Sequence, residues 1–222
     1  MKRTRGGWTP AGTGAARRAG HEERVTPKGQ RARAELLEAA RRVFERDGYL
    51  DTRVADIAAE AGVAHGSFYT YFASKQDVFR SLAQEVSREL DAAVAPDPAD
   101  RGLPTVVALD RSNRRYLELY RANSAFWALL EQLSTMDPDV HRIRLAGRQR
   151  HVERVARTIR RWQESGVADP EIDAHTTAGA LVSMLSNFAY WWFAGGDGYD
   201  DETAARTLTG IWARAVGLKE PK

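Results

Sequence analysis

The chain has 222 residues, 43% of them hydrophobic and 28% charged, a composition typical of a soluble globular protein with a real apolar core. The sequence contains no cysteine, which excludes disulfide scaffolds, thiolate metal sites and cysteine nucleophiles. The net charge of +3 is uneven, because residues 1–33 hold nine Lys or Arg and only two acids, so the rest of the chain is net negative.

The first 27 residues are rich in Gly and Arg and contain no apolar run long enough for a secretory signal. We therefore expect a cytoplasmic protein whose residues 1–27 form a disordered basic tail. Two interpretations of this tail stay open: a segment without function, or an arm that adds non-specific affinity for DNA.

Three short helices are predicted to follow the tail as one head domain, residues 28–75. The first helix runs from about residue 29 to residue 47 and is ended by Gly48. The second carries apolar residues at spacings of i, i+3, i+4 and i+7, namely Val54, Ile57, Ala58 and Ala61.

Gly62 follows the second helix at a point where a chain turns most easily through a left-handed conformation. Phe68 and Phe72 of the third helix can then pack back onto the second. Two helices across such a turn indicate a helix-turn-helix, whose second helix can lie in a DNA major groove.

The third helix offers small residues and hydroxyl groups to its surroundings. Ala64 and Gly66 would let the backbone approach base edges, while Ser67, Tyr69 and Tyr71 could donate to phosphate oxygens. Thr52 and Ser74 are predicted to be N-caps of the flanking helices, where helix N-termini attract phosphate. A long helix begins after Ser74 and leads away from the head.

The stretch AGVAHGSFYTYFASKQDVF, residues 61–79, resembles the DNA-binding signature of the tetracycline-repressor-like (TetR) family. With ARRVFERDGYLDTRVADIA, residues 40–58, the resemblance covers about 50 residues in matching order. It implies an all-α homodimer with an N-terminal three-helix DNA-binding head. It also implies a C-terminal body that encloses a small-molecule effector and dimerises through its last two helices.

The resemblance implies which head residues bind DNA. Phosphate contacts fall at Thr52, Tyr69, Tyr71 and Lys75, base contacts fall at Ala64, His65 and Ser67, and Arg53 lies beside them. The family often has Ser or Thr where Ala64 stands, which puts a side-chain hydrogen bond from that position in question. For His65, donation to a guanine or a phosphate and a role as a solvent-facing spacer both stay open.

The body, residues 76–218, is predicted to be helical throughout, because no alternating β-branched run is long enough for a strand. Residues 95–104 form a Pro- and Asp-rich loop, after which Pro104 starts a helix that continues or bends near Asn123. Asp137 and Pro138 are expected to open a long helix that Gly166 closes.

One face of that long helix carries four arginines at helical spacing, Arg150, Arg154, Arg157 and Arg161. They either form a solvated face paired with acids elsewhere, or they hold an anionic effector or a second DNA contact.

The large aromatic residues of the body would line an apolar effector cavity if their helices face one another. The predicted ligand-binding residues are Tyr116, Tyr120, Trp127, Leu130, Trp162, Phe188, Trp191 and Trp192. Such a lining suits a hydrophobic, aromatic or acyl-type compound. The alternative is that these side chains only fill the core of the body.

Residues 174–196 contain no Asp, Glu, Lys or Arg, so their length alone would permit a membrane span. Six polar residues and the lack of a basic flank favour a buried helix instead, and no membrane partner. The last helix, near residues 200–217, also carries apolar residues along one face. Two such helices per chain predict a four-helix dimer interface that includes Leu185 and Ile211.

The sequence therefore predicts a ligand-responsive transcriptional regulator, and the resemblance implies a repressor. It would bind an inverted-repeat operator in double-stranded DNA as a homodimer and be released by its effector. No enzyme, metal site or cofactor is expected, because the histidines form no i, i+4 pair and no catalytic motif is present. The rival hypothesis is an all-α lipid- or small-molecule-binding protein without DNA-binding activity.

Overall fold

The computed structural model describes residues 27–218, and all regular structure within this range is helical. The α-helices are α1 Pro27–Asp47, α2 Val54–Glu60, α3 His65–Tyr71, α4 Lys75–Ala93, α5 Thr105–Ala122, α6 Ser124–Ser134, α7 Pro138–Glu164, α8 Ala174–Phe193 and α9 Asp201–Ala215. A single 3-10 turn, Pro98–Asp100, lies in the loop between α4 and α5. The all-α fold class with a three-helix head and a helical body is confirmed.

The predicted tail lies outside the described residues except for Pro27. This residue begins α1, since proline is favourable in the first turn of a helix. The other predicted helix boundaries agree with the structure to within a few residues. Pro104, predicted to start a helix, is the N-cap residue directly before α5.

Side-chain caps account for most of the helix starts in the body. The Asp137 carboxylate accepts from the backbone N–H groups of Asp139 (2.8 Å) and Val140 (3.2 Å) at the start of α7. Asp173 and Asp200 each accept one backbone N–H at the starts of α8 and α9. These carboxylates satisfy donors that the helices leave unpaired, so the boundaries follow directly from local sequence.

Whether the helix from Pro104 continues or bends at Asn123 is decided by tertiary contact. The helix breaks there into α5 and α6, and the buried Asn123 amide donates to the carbonyl of Leu119 at 2.8 Å. Its side-chain oxygen accepts from Arg41 of α1 at 2.6 Å. The break therefore ties the head to the body.

Two apolar cores organise the described residues. The head core holds side chains of α1, α2, α3 and the first half of α4, together with Phe126, Leu130 and Leu133 of α6. The body core is formed by α5, α7, α8 and α9. Helix α6 thus completes the head core, although the sequence assigned it wholly to the body.

Helix α4 is shared by both cores. Val78, Phe79 and Val86 are buried in the head core, whereas Leu90 packs against the body core. A rigid helix with one end in each core transmits displacement from one to the other. This supports the role of α4 as the connection between head and body.

Helix α8 buries one side and leaves the other exposed. Its inner side chains include Leu181, Leu185 and Trp192, while Trp191 is 52% exposed on the outer side. Within residues 27–218, no helix combines the length and hydropathy that crossing a bilayer requires. The uncharged stretch is thus explained by packing on one side of α8.

Candidate nucleic-acid interface and effector cavity

Helix α3 packs mainly against α2, and two aromatic rings on its inner side hold it to the head core. Phe68 and Phe72 are buried, with ring centroids 5.8 Å apart, and both belong to the head core. Gly62 has a φ of 67° in the turn before α3, a conformation that residues with a Cβ rarely adopt. The turn and the two anchors fix the direction of α3 relative to α2.

The outer face of α3 is exposed, as predicted. Ala64, His65, Ser67 and Tyr69 are all exposed, and the His65 ring lies edge-on to the Tyr69 ring at 5.4 Å. Tyr71 is only half-buried and packs against the head core, so its ring contributes to stability as well as to the surface. The face carries no acidic residue, which suits a phosphate-bearing partner.

The role of Thr52 in the structure differs from the predicted one. Arg53, and not Thr52, is the N-cap of α2, and the Thr52 side chain is buried with its hydroxyl donating to the carbonyl of Gly48 at 2.6 Å. Arg53 is exposed, and its backbone N–H donates to the Asp56 carboxylate at 2.9 Å. The predicted N-cap role of Thr52 is therefore wrong, since its hydroxyl bonds to the end of α1 instead. Its phosphate contact stays a prediction.

Lys75 also has a different role in this structure. Its ammonium donates to the carbonyls of Tyr49 (2.7 Å), Leu50 (3.2 Å) and Thr52 (2.7 Å) and lies 4.5 Å from the centroid of the Tyr49 ring. Burial lowers the pKa of this ammonium, partly offset by the nearby Asp51. Because all three donors are engaged, Lys75 holds the loop between α1 and α2 against the start of α4. Its phosphate contact with DNA stays a prediction.

The body encloses a large cavity of about 820 Å³ between α4, α5, α6, α7 and α8. Its apolar wall includes Tyr116, Tyr120, Trp127, Leu130 and Trp191. Burial raises the pKa of both tyrosine hydroxyls well above the usual range, so they stay protonated donors. This volume and lining fall within the range of small-molecule sites.

The predicted ligand-binding residues do not all meet in one place. Tyr116, Tyr120, Trp127, Leu130 and Trp191 line the large cavity. Trp162 lines a separate small cavity of about 290 Å³ beside α9, which Tyr116 also borders.

Phe188 and Trp192, which were also predicted to bind the ligand, line neither of these two cavities. Their rings lie 5.7 Å apart, and both contact Tyr199 in the segment that leads to α9. The turn of α8 points them toward the body core and α9, because residues four apart share a helix face. For these two side chains the core-filling interpretation applies.

The polar lining of the large cavity was missed by sequence reasoning. Arg144, Arg148 and His151 of α7 face the cavity at spacings of i, i+4 and i+7, opposite Ser87 and Asp91 of α4. The helical spacing of these residues on α7 is visible in the sequence, but a longer run of arginines at the same kind of spacing lies beside it. Which face of α7 turns inward depends on its packing against α4 and α8.

The predicted arginine stripe is divided by the fold. Arg150 and Arg154 form ion pairs with Asp91 of α4, whereas Arg157 and Arg161 are exposed. The Arg161 guanidinium donates to the Thr158 hydroxyl on the same helix at 3.0 Å. The interpretation of a face paired with acids elsewhere thus fits the first two arginines.

His151 is a buried histidine of the cavity wall. It is 7% exposed, borders both cavities and packs against Tyr116 with 5.6 Å between ring centroids. Burial, assisted by Arg154 and Arg148, lowers its pKa to about 4. The imidazole is therefore neutral near pH 7 and can offer the cavity both a donor and an acceptor.

Known proteins with a similar sequence show the family to which this architecture belongs. Residues 36–82 match the model of the family described as bacterial regulatory proteins, tetR family. The HTH-type transcriptional regulator TtgR of Pseudomonas putida is 28% identical over 195 residues, which cover 80% of this chain and 87% of that protein. EthR of Mycobacterium tuberculosis is 25% identical over 200 residues, covering 86% and 89%.

Solved structures agree over a similar extent. A transcriptional regulator from Saccharomonospora viridis, solved in complex with choline, is 25% identical and superposes with a TM-score of 0.66 over 82% of this chain and 95% of its own. The matches reach well beyond the head into the body that holds the cavity. The chain belongs to the TetR family of DNA-binding transcriptional regulators, which are not enzymes.

Proposed function

We propose that the chain is a ligand-responsive repressor that binds an inverted-repeat operator as a homodimer and releases it when an effector enters the large cavity. The observation that carries this proposal is the position of α4. It is buried in the head core at one end and forms part of the cavity wall at the other. A ligand that fits one position of α4 better than another would shift the spacing of the heads.

The DNA-binding part of the proposal rests on the exposed tip of α3. Ala64, His65, Ser67 and Tyr69 are exposed on the head, with Arg53 exposed nearby. The small residues allow close approach to base edges, and the hydroxyl groups can donate to phosphates. Two such tips in a two-fold dimer would reach successive major grooves about 34–36 Å apart, which requires an inverted repeat.

The dimer would form through the outer faces of α8 and α9. On α8 these faces carry Ala180, Ser183, Asn187 and Trp191, and on α9 they carry Ile211. A 52% exposed tryptophan beside small residues is a feature typical of an interface. Trp191 also borders the large cavity, so the interface and the effector site would be adjacent.

The effector would be a hydrophobic, aromatic or acyl-type compound. Tyr116, Tyr120, Trp127 and Leu130 supply the apolar wall that such a compound needs. The choline complex of the S. viridis relative supports small-molecule binding by a protein of this fold.

Operator binding is tested by fluorescence anisotropy with DNA from upstream of the protein's own gene, at two salt concentrations. We expect tight binding to an inverted repeat and weak binding to the same DNA with one half-site scrambled. His65→Glu should abolish binding, because it places a negative charge at the exposed α3 tip. It should leave the fold intact, since an acid is favourable in the first turn of a helix.

Gln149→Glu is the matched control. It introduces the same charge on the exposed face of α7, away from the head, and should leave operator affinity unchanged. If the wild-type protein binds no inverted repeat even at low salt but binds hydrophobic ligands, the all-α ligand-binding protein without DNA-binding activity becomes the better hypothesis.

A further inference from the structure

An ion-pair cluster joins α4 to α7 at the edge of the large cavity. The Asp91 carboxylate accepts from Arg150 Nε at 2.8 Å and from Arg154 Nη2 at 2.6 Å. Arg150 Nη2 also donates to the Ser87 hydroxyl at 2.9 Å. We call these four residues the latch, because they hold the far half of α4 against α7.

Part of the latch lies in the wall of the large cavity, and Arg150 is in contact with that part without lining a cavity itself. Ser87 and Asp91 line the large cavity, Arg154 lines the small one, and His151 between them borders both. At Gly147 the two helices touch, since an added Cβ would lie 2.6 Å from the Ser87 hydroxyl oxygen. A group that enters the cavity along α7 therefore reaches the latch directly.

Positive charge exceeds negative charge around the latch. Asp91 is shared by two arginines, and within residues 27–218 Arg148 bonds to the Ser183 hydroxyl and the Gly179 carbonyl but to no acid. One terminal nitrogen of Arg154, Nη1, is buried and has no acceptor among residues 27–218. Buried donors without acceptors are costly, so this region favours an additional anion.

The other acid of the cavity wall does not supply that anion. Glu131 of α6 is engaged by Arg144 of α7 through bonds of 2.8 and 2.5 Å on the opposite side of the cavity. Burial disfavours ionisation of Asp91, but hydrogen bonds from Arg150 and Arg154 outweigh it and hold the pKa of the carboxyl below its usual value. Asp91 is thus an ionised group whose partners could equally well bind an external carboxylate, sulfonate or phosphate.

We propose that the effector carries an anionic group that takes the place of Asp91 on Arg154 and Arg150, with Arg148 assisting, and thereby frees α4 from α7. This inference rests on the proposed function for the identity of the site. The latched arrangement is the operator-binding one. The effector acts because its anion interacts with the arginines only when Asp91 has left them, which gives it different affinities for the two states.

The ligand side is tested with two fluorescent probes that share one aromatic skeleton. The first is the anion 1-anilinonaphthalene-8-sulfonate, and the second is the uncharged N-phenyl-1-naphthylamine. The wild-type protein should bind the anion more tightly. Asp91→Asn removes the internal competitor, so it should increase the preference for the anion about tenfold, within the usual range of coupling between sites.

Glu131→Gln is the matched control, because it neutralises an acid of the same cavity that contacts α7 but not α4. It should change the preference for the anion far less than Asp91→Asn does. Arg154→Met should abolish the preference while leaving affinity for the uncharged probe unchanged. A general loosening of the body would change both affinities alike, so it cancels in their ratio. Cooperative melting of each variant confirms that the variant is folded.

The regulatory side is tested by operator binding without ligand. Asp91→Asn should weaken it by about 5- to 150-fold, the range typical of allosteric coupling, and Glu131→Gln should not. An unchanged or reduced preference of Asp91→Asn for the anion would overturn the proposal, and so would tighter operator binding.

If Asp91→Asn fails to fold, Arg154→Met decides, because retained preference for the anion in that variant contradicts the proposal. If the wild-type protein binds no operator, the proposed function is refuted. The two probes still test the anion site in that case, because their binding does not depend on DNA.

Discussion

Among single residues, Lys75 differs most between what its sequence context implies and what the structure shows. The TetR-like motif implies a phosphate contact, yet its three donors are engaged by the carbonyls of Tyr49, Leu50 and Thr52. We expect Lys75→Met to lower the free energy of unfolding by about 1–3 kcal/mol, because three carbonyls lose a charged donor and two of these bonds are partly buried. Denaturant unfolding measures this loss, and Lys28→Met at the exposed start of α1 should stay within about 0.5 kcal/mol of wild type.

The same variant separates the two roles by salt dependence. If Lys75 stays with the carbonyls, the slope of log affinity for the operator against log salt is unchanged by Lys75→Met. A slope shallower by about one unit would show that the ammonium moves to a phosphate when DNA binds.

His151 makes stability depend on pH. Its pKa is about 4 in the folded protein, below the ordinary value of 6.5, so the unfolded chain binds the proton first as pH falls. The associated stability is complete above pH 6.5 and is lost progressively as pH falls to about 4, by about 3 kcal/mol. His151→Gln should flatten this part of the profile in denaturant unfolding measured from pH 7 to pH 4. Identical profiles for the two proteins would mean that the imidazole is solvated.

At the scale of helices, Asp137 does more than cap α7. Its carboxylate accepts two backbone N–H groups and also pairs with Arg80 of α4 at 2.8 Å. Asp137→Ala should therefore destabilise the protein by about 2 kcal/mol, more than loss of a cap alone. Asp200→Ala, which removes a cap at α9, should cost about 1 kcal/mol. Equal losses in thermal or denaturant unfolding would show that the contact with Arg80 adds nothing.

At the scale of the whole molecule, the proposed dimer interface can be located by placing a charge on α8 or on α9. Ile211 is 38% exposed on α9, whereas Leu185 is 2% exposed in the body core, so the two sites of the predicted seam are not equivalent. Ile211→Glu should give a folded monomer that no longer binds the operator. Leu185→Glu should unfold the body, because it buries a charge without a partner. Sedimentation and circular dichroism distinguish these results, and a dimeric Ile211→Glu protein would place the interface elsewhere.

Local sequence was sufficient to predict the order of the helices and most of their ends. Asp137, Asp173 and Asp200 cap helices through bonds within their own segments, and Gly62 turns the chain by its own conformational freedom. The exposed face of α3 followed in part from periodicity, because Phe68 and Phe72 share one helix face and Ser67 and Tyr69 point away from it. Ala64 is exposed because it is the N-cap residue before the first turn.

Only the tertiary structure decided which distant groups meet. It placed α6 in the head core, turned Phe188 and Trp192 away from the cavity, directed Lys75 to backbone carbonyls and brought Asp91 between Arg150 and Arg154. Each outcome depends on the rotation of one helix about its axis relative to another. Periodicity gives the apolar side of a helix but not the partner that covers it, and so the sequence alone determined the elements while packing determined the site.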